Sequence, residues 1–153
     1  MIRTLIATLA IIAGFAQAAD KPYNEAADAR ADIQHALAQA AAERKPVLVV
    51  FGANWCPDCR ALDIAMKIGR NAELIGREFE VVKVDVGRFD RNVDLAASYE
   101  VPLKKGIPAV AIVSPEGRVV YATRGGELAD ARGMSEDGLY RFFRKAADEA
   151  KPR

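Results

Sequence analysis

Hydrophobic and polar positions along the chain predict strands and helices in alternation. Four segments are short apolar runs rich in β-branched residues, which are typical of strands buried in a sheet; they cover residues 47–51, 80–86, 109–113 and 118–123. Three segments have a helical composition or apolar residues at three- and four-residue spacing; they cover residues 24–44, 57–69 and 93–99. A fourth helix is predicted after Ser135, whose side chain suits a helix N-cap.

The order of these elements predicts an α/β fold. Because strands alternate with helices, the central sheet is expected to be mostly parallel. Residues 114–117 have turn chemistry, with proline at the second position and glycine at the fourth. The strand after this turn is therefore expected to form an antiparallel hairpin with the strand before it.

The N-terminus has the pattern of a secretory signal peptide. Arg3 precedes an apolar stretch, and residues 16–18 (Ala-Gln-Ala) offer the small side chains that a signal peptidase recognises. A membrane anchor is the alternative, but the stretch of about twelve apolar residues is shorter than the ~20 that a spanning helix needs. We expect cleavage after Ala18 or Ala19, a signal peptide at residues 1–18 and one exported domain at residues 19–153. The short basic segment fits a bacterial periplasm, where disulfides persist.

Composition and charge exclude two classes of protein. Hydrophobic residues make up 51% of the 153 positions and charged residues 28%, which excludes a disordered chain. The 22 basic and 21 acidic residues nearly balance, so the basic excess of a nucleic-acid-binding protein is missing. Removal of residues 1–18 takes away Arg3 and leaves the charges balanced.

The candidate chemistry lies in the sequence Trp55-Cys56-Pro57-Asp58-Cys59, between a predicted strand and a predicted helix. The first cysteine falls near the helix N-terminus, where unpaired backbone N–H groups and the helix dipole favour a thiolate over a thiol. Attack by that thiolate on a disulfide gives a mixed disulfide, which the second cysteine can resolve. The pair therefore predicts thiol–disulfide exchange.

Two cysteines can serve three other purposes in a protein. A structural zinc site needs four ligands, and the chain offers two cysteines and the distant His35. A covalent haem site needs histidine directly after the second cysteine, where Arg60 stands. A purely structural disulfide closes only a very short loop here, so it gains little stability. The zinc site and the structural disulfide stay as minor alternatives.

A second motif, Gly106-Ile107-Pro108, comes directly before the third predicted strand. Proline cannot donate a hydrogen bond to a sheet, so it belongs at a strand start. The bond before it is either an ordinary trans bond or, in a tight turn, a cis bond.

These segments resemble the thioredoxin superfamily. The resemblance rests on residues 47–59 (Val-Leu-Val-Val-Phe-Gly-Ala-Asn-Trp-Cys-Pro-Asp-Cys), on residues 104–110 (Lys-Lys-Gly-Ile-Pro-Ala-Val) and on the hairpin segment 115–121. It covers nearly all of the predicted mature chain and implies a thioredoxin fold, with a central mixed sheet of about four to five strands and helices on both faces.

The resemblance also implies roles for individual residues. Cys56 is expected to be the nucleophile and Cys59 the resolving thiol, with Trp55 packed beside them. The bond between Ile107 and Pro108 is expected to be cis and to face the disulfide, where it keeps metals off the thiols. The backbone next to it is expected to bind extended substrate chain.

The chain departs from thioredoxins in and around the motif. Val50 stands where thioredoxins carry a buried aspartate that accepts the proton of the second cysteine. Asp63 is a candidate replacement, although we expect it to be a solvated helix residue. Pro57 and Asp58 separate the cysteines. The negative charge of Asp58 is expected either to oppose thiolate formation and favour a reducing site, or simply to suit the first turn of the helix. The loop at residues 100–105 is about three residues longer than in thioredoxin.

The combined prediction is a periplasmic thiol–disulfide oxidoreductase of the exported bacterial thioredoxin-like kind, which reduces protein disulfides at Cys56 and Cys59. It is expected to be a monomer without a metal or bound cofactor. Its expected partners are disulfide-containing proteins and a membrane-embedded thiol donor, since the periplasm has no reducing pool. The alternatives are an oxidase or isomerase of the same fold, or a non-catalytic binding module with a passive disulfide.

Overall fold

The computed structural model describes residues 21–151; the predicted signal peptide and its cleavage after Ala18 or Ala19 lie outside this range. The α-helices of the described range are α1 (Ala29–Glu43), α2 (Pro57–Met66), α3 (Gly69–Glu78), α4 (Val93–Ser98) and α5 (Glu136–Glu149). The strands are β1 (Val47–Gly52), β2 (Glu80–Asp85), β3 (Ala109–Val113) and β4 (Val119–Ala122), and single 3-10 turns lie at Leu103–Lys105 and Ala131–Gly133. No helix within residues 21–151 combines the length and apolar character needed to cross a bilayer.

The four strands form one mixed sheet in the order β2-β1-β3-β4. The hairpin of β3 and β4 is antiparallel, as predicted, but β3 also runs antiparallel to β1, and only β1 and β2 are parallel. The prediction of a mostly parallel sheet is therefore wrong. The six residues of α4 rise about 9 Å, too little to carry the chain back along a strand of about 20 Å. As a result, β3 starts near the C-terminal ends of β1 and β2 and runs back antiparallel to them.

Strand β1 lies at the centre of the sheet, and all six of its residues are buried. Val47, Val49 and Phe51 face one hydrophobic cluster with α1 and α4. Leu48 and Val50 face a second cluster with α2, α3 and α5. Helices therefore cover both faces of the sheet, as the resemblance implied, and the continuous apolar run of β1 follows from burial on both sides.

Three helices differ from the prediction, and one of them, α2, ends at Met66 and not near residue 69. Helix α1 begins at Ala29 and not near residue 24, because the Asp28 side chain accepts hydrogen bonds from the backbone N–H groups of Arg30 and Ala31 and caps the helix there. Helix α3 was not predicted. Its buried side chains are few, and Gly69 and Gly76 lower its intrinsic helix propensity. Ser135 caps α5 as expected, and its hydroxyl accepts from the Gly138 N–H.

Candidate active site

The two cysteines lie where β1 leads into α2. Cys56 is the N-cap of α2 and Pro57 is its first residue, a position where the missing N–H of proline costs no helical bond. Cys56 and Cys59 form a disulfide, with their Cα atoms 5.2 Å apart. Cys59 is completely buried, whereas Cys56 is 4% exposed. Of the two sulfurs, that of Cys56 is therefore the one an incoming disulfide can reach.

The helix N-terminus acts directly on Cys56. The backbone N–H of Cys59 donates a hydrogen bond to Cys56 Sγ over 3.1 Å, and the positive end of the α2 dipole points at the same atom. Both interactions strengthen when the sulfur carries a negative charge. This geometry lowers the cost of a Cys56 thiolate in the reduced protein.

The loop before β3 reaches the disulfide from the neighbouring strand. The Ile107–Pro108 bond is cis, the isomer that the resemblance implies. The carbonyl oxygen of Ile107 lies 3.6 Å from Cys56 Sγ. It is brought there because β3 begins beside the end of β1, where Ala109 pairs with Phe51. Backbone polar groups are thus presented at the sulfur that a substrate must approach.

An aromatic ridge formed by Trp55 and Phe89 lies beside the cysteines; of the two residues, only Trp55 was predicted from sequence. Trp55 donates from Nε1 to the Gly87 carbonyl oxygen over 2.7 Å and packs edge-on against Phe89, with ring centroids 6.0 Å apart. Trp55 is 42% exposed and Phe89 45%. The Arg88 guanidinium lies 5.6 Å from the centre of the Trp55 ring. The available signal was Phe89 itself, an aromatic residue in the polar loop after β2.

Asp58 does not act on the cysteines as an isolated negative charge. Its carboxylate accepts hydrogen bonds from the backbone N–H and from Nε of Arg132, over 3.0 and 3.1 Å. Burial by itself acts to raise the pKa of Asp58, but the hydrogen bonds and the charge of Arg132 outweigh it and hold this pKa below its usual value. The Arg132 guanidinium therefore offsets much of the charge that was expected to oppose thiolate formation.

The paired charges of Asp58 and Arg132 predict opposite effects of two single substitutions on the pKa of Cys56. Asp58→Asn leaves the positive charge of Arg132 and should lower this pKa, whereas Arg132→Gln leaves the carboxylate and should raise it. Each shift should be about half a unit, because solvent screens the exposed Arg132. The pH dependence of Cys56 alkylation by iodoacetamide measures it, and shifts of the same sign would contradict this account.

Asp63 is a buried carboxylate one helical turn after Cys59. It is 4% exposed and forms ion pairs with Lys83, on β2, and with Lys67, whose Nζ is 2.7 Å from Asp63 Oδ2. The expectation of a solvated helix residue is therefore wrong. Lys83 pairs in register with Val50, the position at which thioredoxins carry their buried aspartate. On the face of the sheet that Val50 and Lys83 share, the buried carboxylate therefore belongs to Asp63 of α2 and not to a residue of β1.

Tyr23 is a further residue that the sequence analysis missed. It precedes α1 and is buried in the same cluster as Cys56 and Cys59. Its backbone N–H donates to Asn54 Oδ1 over 3.0 Å, and Asn54 Nδ2 donates to the Tyr23 carbonyl oxygen over 2.8 Å. The segment before α1 is thereby tied to the loop that carries the cysteines. The available signal was Gly52, which directly follows the predicted strand at residues 47–51 and leaves space for a neighbouring side chain.

Two solved structures that resemble this chain are those of a protein described as a disulphide isomerase and of a DsbD domain. A structure from Xylella fastidiosa Temecula1, described as a disulphide isomerase, is 53% identical; the match covers 84% of this chain and 98% of that chain, with a TM-score of 0.81. The C-terminal domain of DsbD from Neisseria meningitidis, in its oxidised form, is 20% identical over 76% of this chain and 94% of its own, with a TM-score of 0.55. That second likeness is one of fold.

Among curated proteins, nucleoredoxin of Mus musculus is 28% identical over 111 residues. The match covers 60% of this chain and 25% of nucleoredoxin, so the chain spans a quarter of that relative's length. A family model described as thioredoxin-like matches residues 28–115, which run from the N-cap of α1 past the end of β3 and include both cysteines and the cis-proline. The match covers more than half of the chain, which therefore belongs to the thioredoxin-like family and has the fold of its disulfide oxidoreductases with their Cys-x-x-Cys pair.

Proposed function

We propose that this protein reduces disulfide bonds in exported proteins by dithiol–disulfide exchange, with Cys56 as the nucleophile and Cys59 as the resolving thiol. The observation that carries the proposal is the placement of the two sulfurs. Cys56 Sγ sits at the N-terminus of α2 and accepts the Cys59 N–H, while Cys59 lies fully buried directly behind it.

The reaction has two displacement steps. The Cys56 thiolate attacks one sulfur of the substrate disulfide, so a Cys56–substrate bond forms, the substrate S–S bond breaks and the first substrate sulfur leaves as a thiolate. Cys59 then attacks Cys56 Sγ as a thiolate, and the second substrate sulfur leaves. Two electrons have passed to the substrate, whose thiolates take protons from water. The protein ends with the Cys56–Cys59 disulfide.

The direction of electron flow follows from how strongly the Cys56 thiolate is stabilised. A strong oxidant needs a very stable thiolate, because its reduced form must be favoured. Here the residues between the cysteines are Pro57 and the acidic Asp58. The carboxylate of Asp58 is balanced by Arg132, which leaves the helix N-terminus and one backbone hydrogen bond as the stabilising interactions. This supports a potential on the reducing side of the ~−270 to −120 mV range of related couples.

The proposed function also requires a compartment and a source of electrons. Residues 1–18 would direct export to the bacterial periplasm, and residues 19–153 would form a single monomeric domain there. Because that compartment is kept oxidising, the electrons must come from a membrane-embedded thiol protein. Trp55, Pro57, Asp58, Ile107 and Pro108 would form the surface on which substrate and donor dock in turn.

Two measurements test this function. Titration of the Cys56–Cys59 couple against glutathione should give a potential below about −150 mV, and a higher value would contradict the reductase. The protein should also accelerate insulin reduction by dithiothreitol, and Cys56→Ser should not. If insulin reduction is equally fast with the protein and with its Cys56→Ser variant, the protein is not a reductase, and the non-catalytic binding module becomes the better assignment.

A disulfide isomerase is the second candidate, because the Xylella protein described as one is 53% identical. An isomerase attacks with one thiol and lets the substrate resolve the mixed disulfide itself. Recovery of activity from scrambled ribonuclease by the Cys59→Ala variant would favour this candidate. A reductase depends on Cys59 and loses its activity in the same variant.

A further inference from the structure

The phenol of Tyr23 is a buried group next to Cys59 that the two displacement steps leave unused. Tyr23 is 2% exposed and Cys59 is completely buried. Both face the Cα of Gly52, the last residue of β1. A methyl group at Gly52 would lie 2.5 Å from Tyr23 Cζ and 3.0 Å from Cys59 Sγ, and it would overlap the Tyr23 hydroxyl. The hydroxyl and the sulfur therefore border the same small space, which exists because residue 52 has no side chain.

The position of Tyr23 is fixed by hydrogen bonds from two loops: one loop bonds to the Tyr23 backbone and the other to the backbone of Glu25. Asn54 holds its backbone through the two hydrogen bonds described above. Arg91, from the loop after β2, donates to the carbonyl oxygen of Glu25 over 2.7 Å. The segment before α1 thus cannot swing away without breaking contacts to two loops of the site, so the phenol is held beside Cys59.

The charged groups around this space favour a protonated phenol. Burial, with the negative charge of Asp85 as a smaller cause, raises the pKa of Tyr23 well above its usual value. Asp85 in turn interacts with Arg91, Glu25 and Asp90. Asp63, one helical turn after Cys59, is paired with Lys83 and Lys67. Tyr23 therefore keeps its proton and can act only as a hydrogen-bond donor to a neighbouring anion.

Cys59 needs such a donor when it reacts. A thiolate in a fully buried site is disfavoured because it has lost its hydration, and burial alone raises the pKa of a thiol. Val50, on the strand beneath, has no polar group to offer. A hydrogen bond to a charged acceptor is worth roughly twice a neutral one, so a single phenol can change how readily Cys59 ionises.

We propose that the Tyr23 hydroxyl donates a hydrogen bond to the Cys59 thiolate that resolves the mixed disulfide; this rests on the function proposed above. The Cys59 proton passes to water, Cys59 Sγ bonds to Cys56 Sγ, and the Cys56–substrate bond breaks. The released substrate sulfur takes a proton from water, while Tyr23 keeps its own proton throughout. Tyr23 therefore sets the rate of the second displacement and leaves the first unchanged.

The test removes only the hydroxyl. Tyr23→Phe keeps the ring that fills the space above Gly52. In a Cys56→Ser background, which leaves one thiol and an uncharged residue 56 as in the mixed disulfide, the Cβ carbon-13 shift of Cys59 reports its pKa. We expect Tyr23→Phe to raise this pKa by about one unit. Tyr99→Phe, which removes a hydroxyl from a ring packed on Phe51 in the same cluster, should leave it unchanged.

Kinetics give an independent readout in the protein with both cysteines. When reduced protein is mixed with 5,5′-dithiobis-(2-nitrobenzoate), the first release of thionitrobenzoate reports attack by Cys56 and the second reports resolution by Cys59. Tyr23→Phe should slow the second release about threefold at pH 7, because the roughly tenfold loss of thiolate is partly offset by the greater nucleophilicity of a more basic sulfur, and it should leave the first unchanged. A Cys59 pKa and a second phase equal to those of the parent protein would overturn the proposal.

A second variant covers the case in which Tyr23→Phe folds poorly. Site-specific 3-fluorotyrosine at position 23 keeps the shape of the ring and is a stronger donor, so it should lower the pKa of Cys59, the opposite sign to Tyr23→Phe. A purely structural role gives no such lowering, so an unchanged or higher pKa would overturn the proposal. The pKa is measured without substrate. A failed proposal here is therefore distinct from a failure of the reductase assignment, which the potential and the insulin assay decide.

Discussion

Replacing Cys59 with alanine is expected to stop turnover and to leave substrates covalently attached to Cys56. Cys59 is the thiol positioned to attack Cys56 Sγ, with the two Cα atoms 5.2 Å apart. Without it, the first displacement still occurs, because the helix N-terminus and the Cys59 backbone N–H act on Cys56 through the main chain. The mixed disulfide then persists until an external thiol releases it.

When the protein is reduced beforehand and no dithiothreitol is present, we expect the Cys59→Ala variant to stop at the mixed disulfide and to reduce no insulin disulfide to two free thiols. Covalent adducts should appear on non-reducing gels and disappear with dithiothreitol. Mass spectrometry of the adducts identifies the substrates. The matched control is the double variant Cys56→Ser with Cys59→Ala, which should form no adduct. Adducts in this control, or none in the single variant, would show that the roles of the two thiols are not those proposed.

Replacing Asp63 with alanine is expected to cost about 2–4 kcal/mol of folding free energy. Removal of one partner from a buried ion pair typically costs about 3–5 kcal/mol, and the partial exposure of Lys83, 21%, reduces this. Asp63 lines a pocket together with Met66, Ile75 and Val81 and with its two lysine partners, so the change also removes a charge that compensates Lys83. The midpoint of urea unfolding, at an unchanged slope, measures the loss.

Two further variants separate this ion pair from other causes. Lys67 is the more exposed partner of Asp63, with 53% of its side chain accessible. Lys67→Ala should therefore lower the free energy of unfolding by less than about 1 kcal/mol. The double variant Asp63→Leu with Lys83→Met replaces the pair by apolar groups and should recover most of the stability. If Asp63→Ala costs no more than Lys67→Ala, the buried pair does not stabilise the fold.

The parts of the fold that sequence predicts well are those with a local cause. The continuous apolar run of β1, the Ser114–Gly117 turn and the capping Ser135 each determine their own segment, and the structure has each of them in place. The cysteine motif is equally local, because the strand, the loop and the helix N-terminus that position Cys56 are contiguous in the chain. The direction of β3 is not local. It depends on how far α4 carries the chain.

The parts of the site that sequence does not predict depend on distant segments. Asp63 is an ordinary polar helix position until β2 brings Lys83 beside it. Tyr23 lies 36 positions before Cys59 and borders the same space only because Gly52 has no side chain. Phe89 meets Trp55 because the loop after β2 returns to the edge where β1 ends. Pairings of this kind arise when elements pack, and no pattern within one segment contains them.

The start of β3 near the C-terminal ends of β1 and β2 has a practical consequence. That end of the sheet, where β1 and β2 finish, carries the cysteines, the cis-proline and the loop of Phe89. The Ser114–Gly117 turn lies at the opposite end of the strands, where Val113 pairs with Val47 at the start of β1. A label, a surface linker or a fused carrier attached at this turn would leave the reactive end facing outward. The protein can then be immobilised on an electrode or a resin with every copy presenting its disulfide to solution.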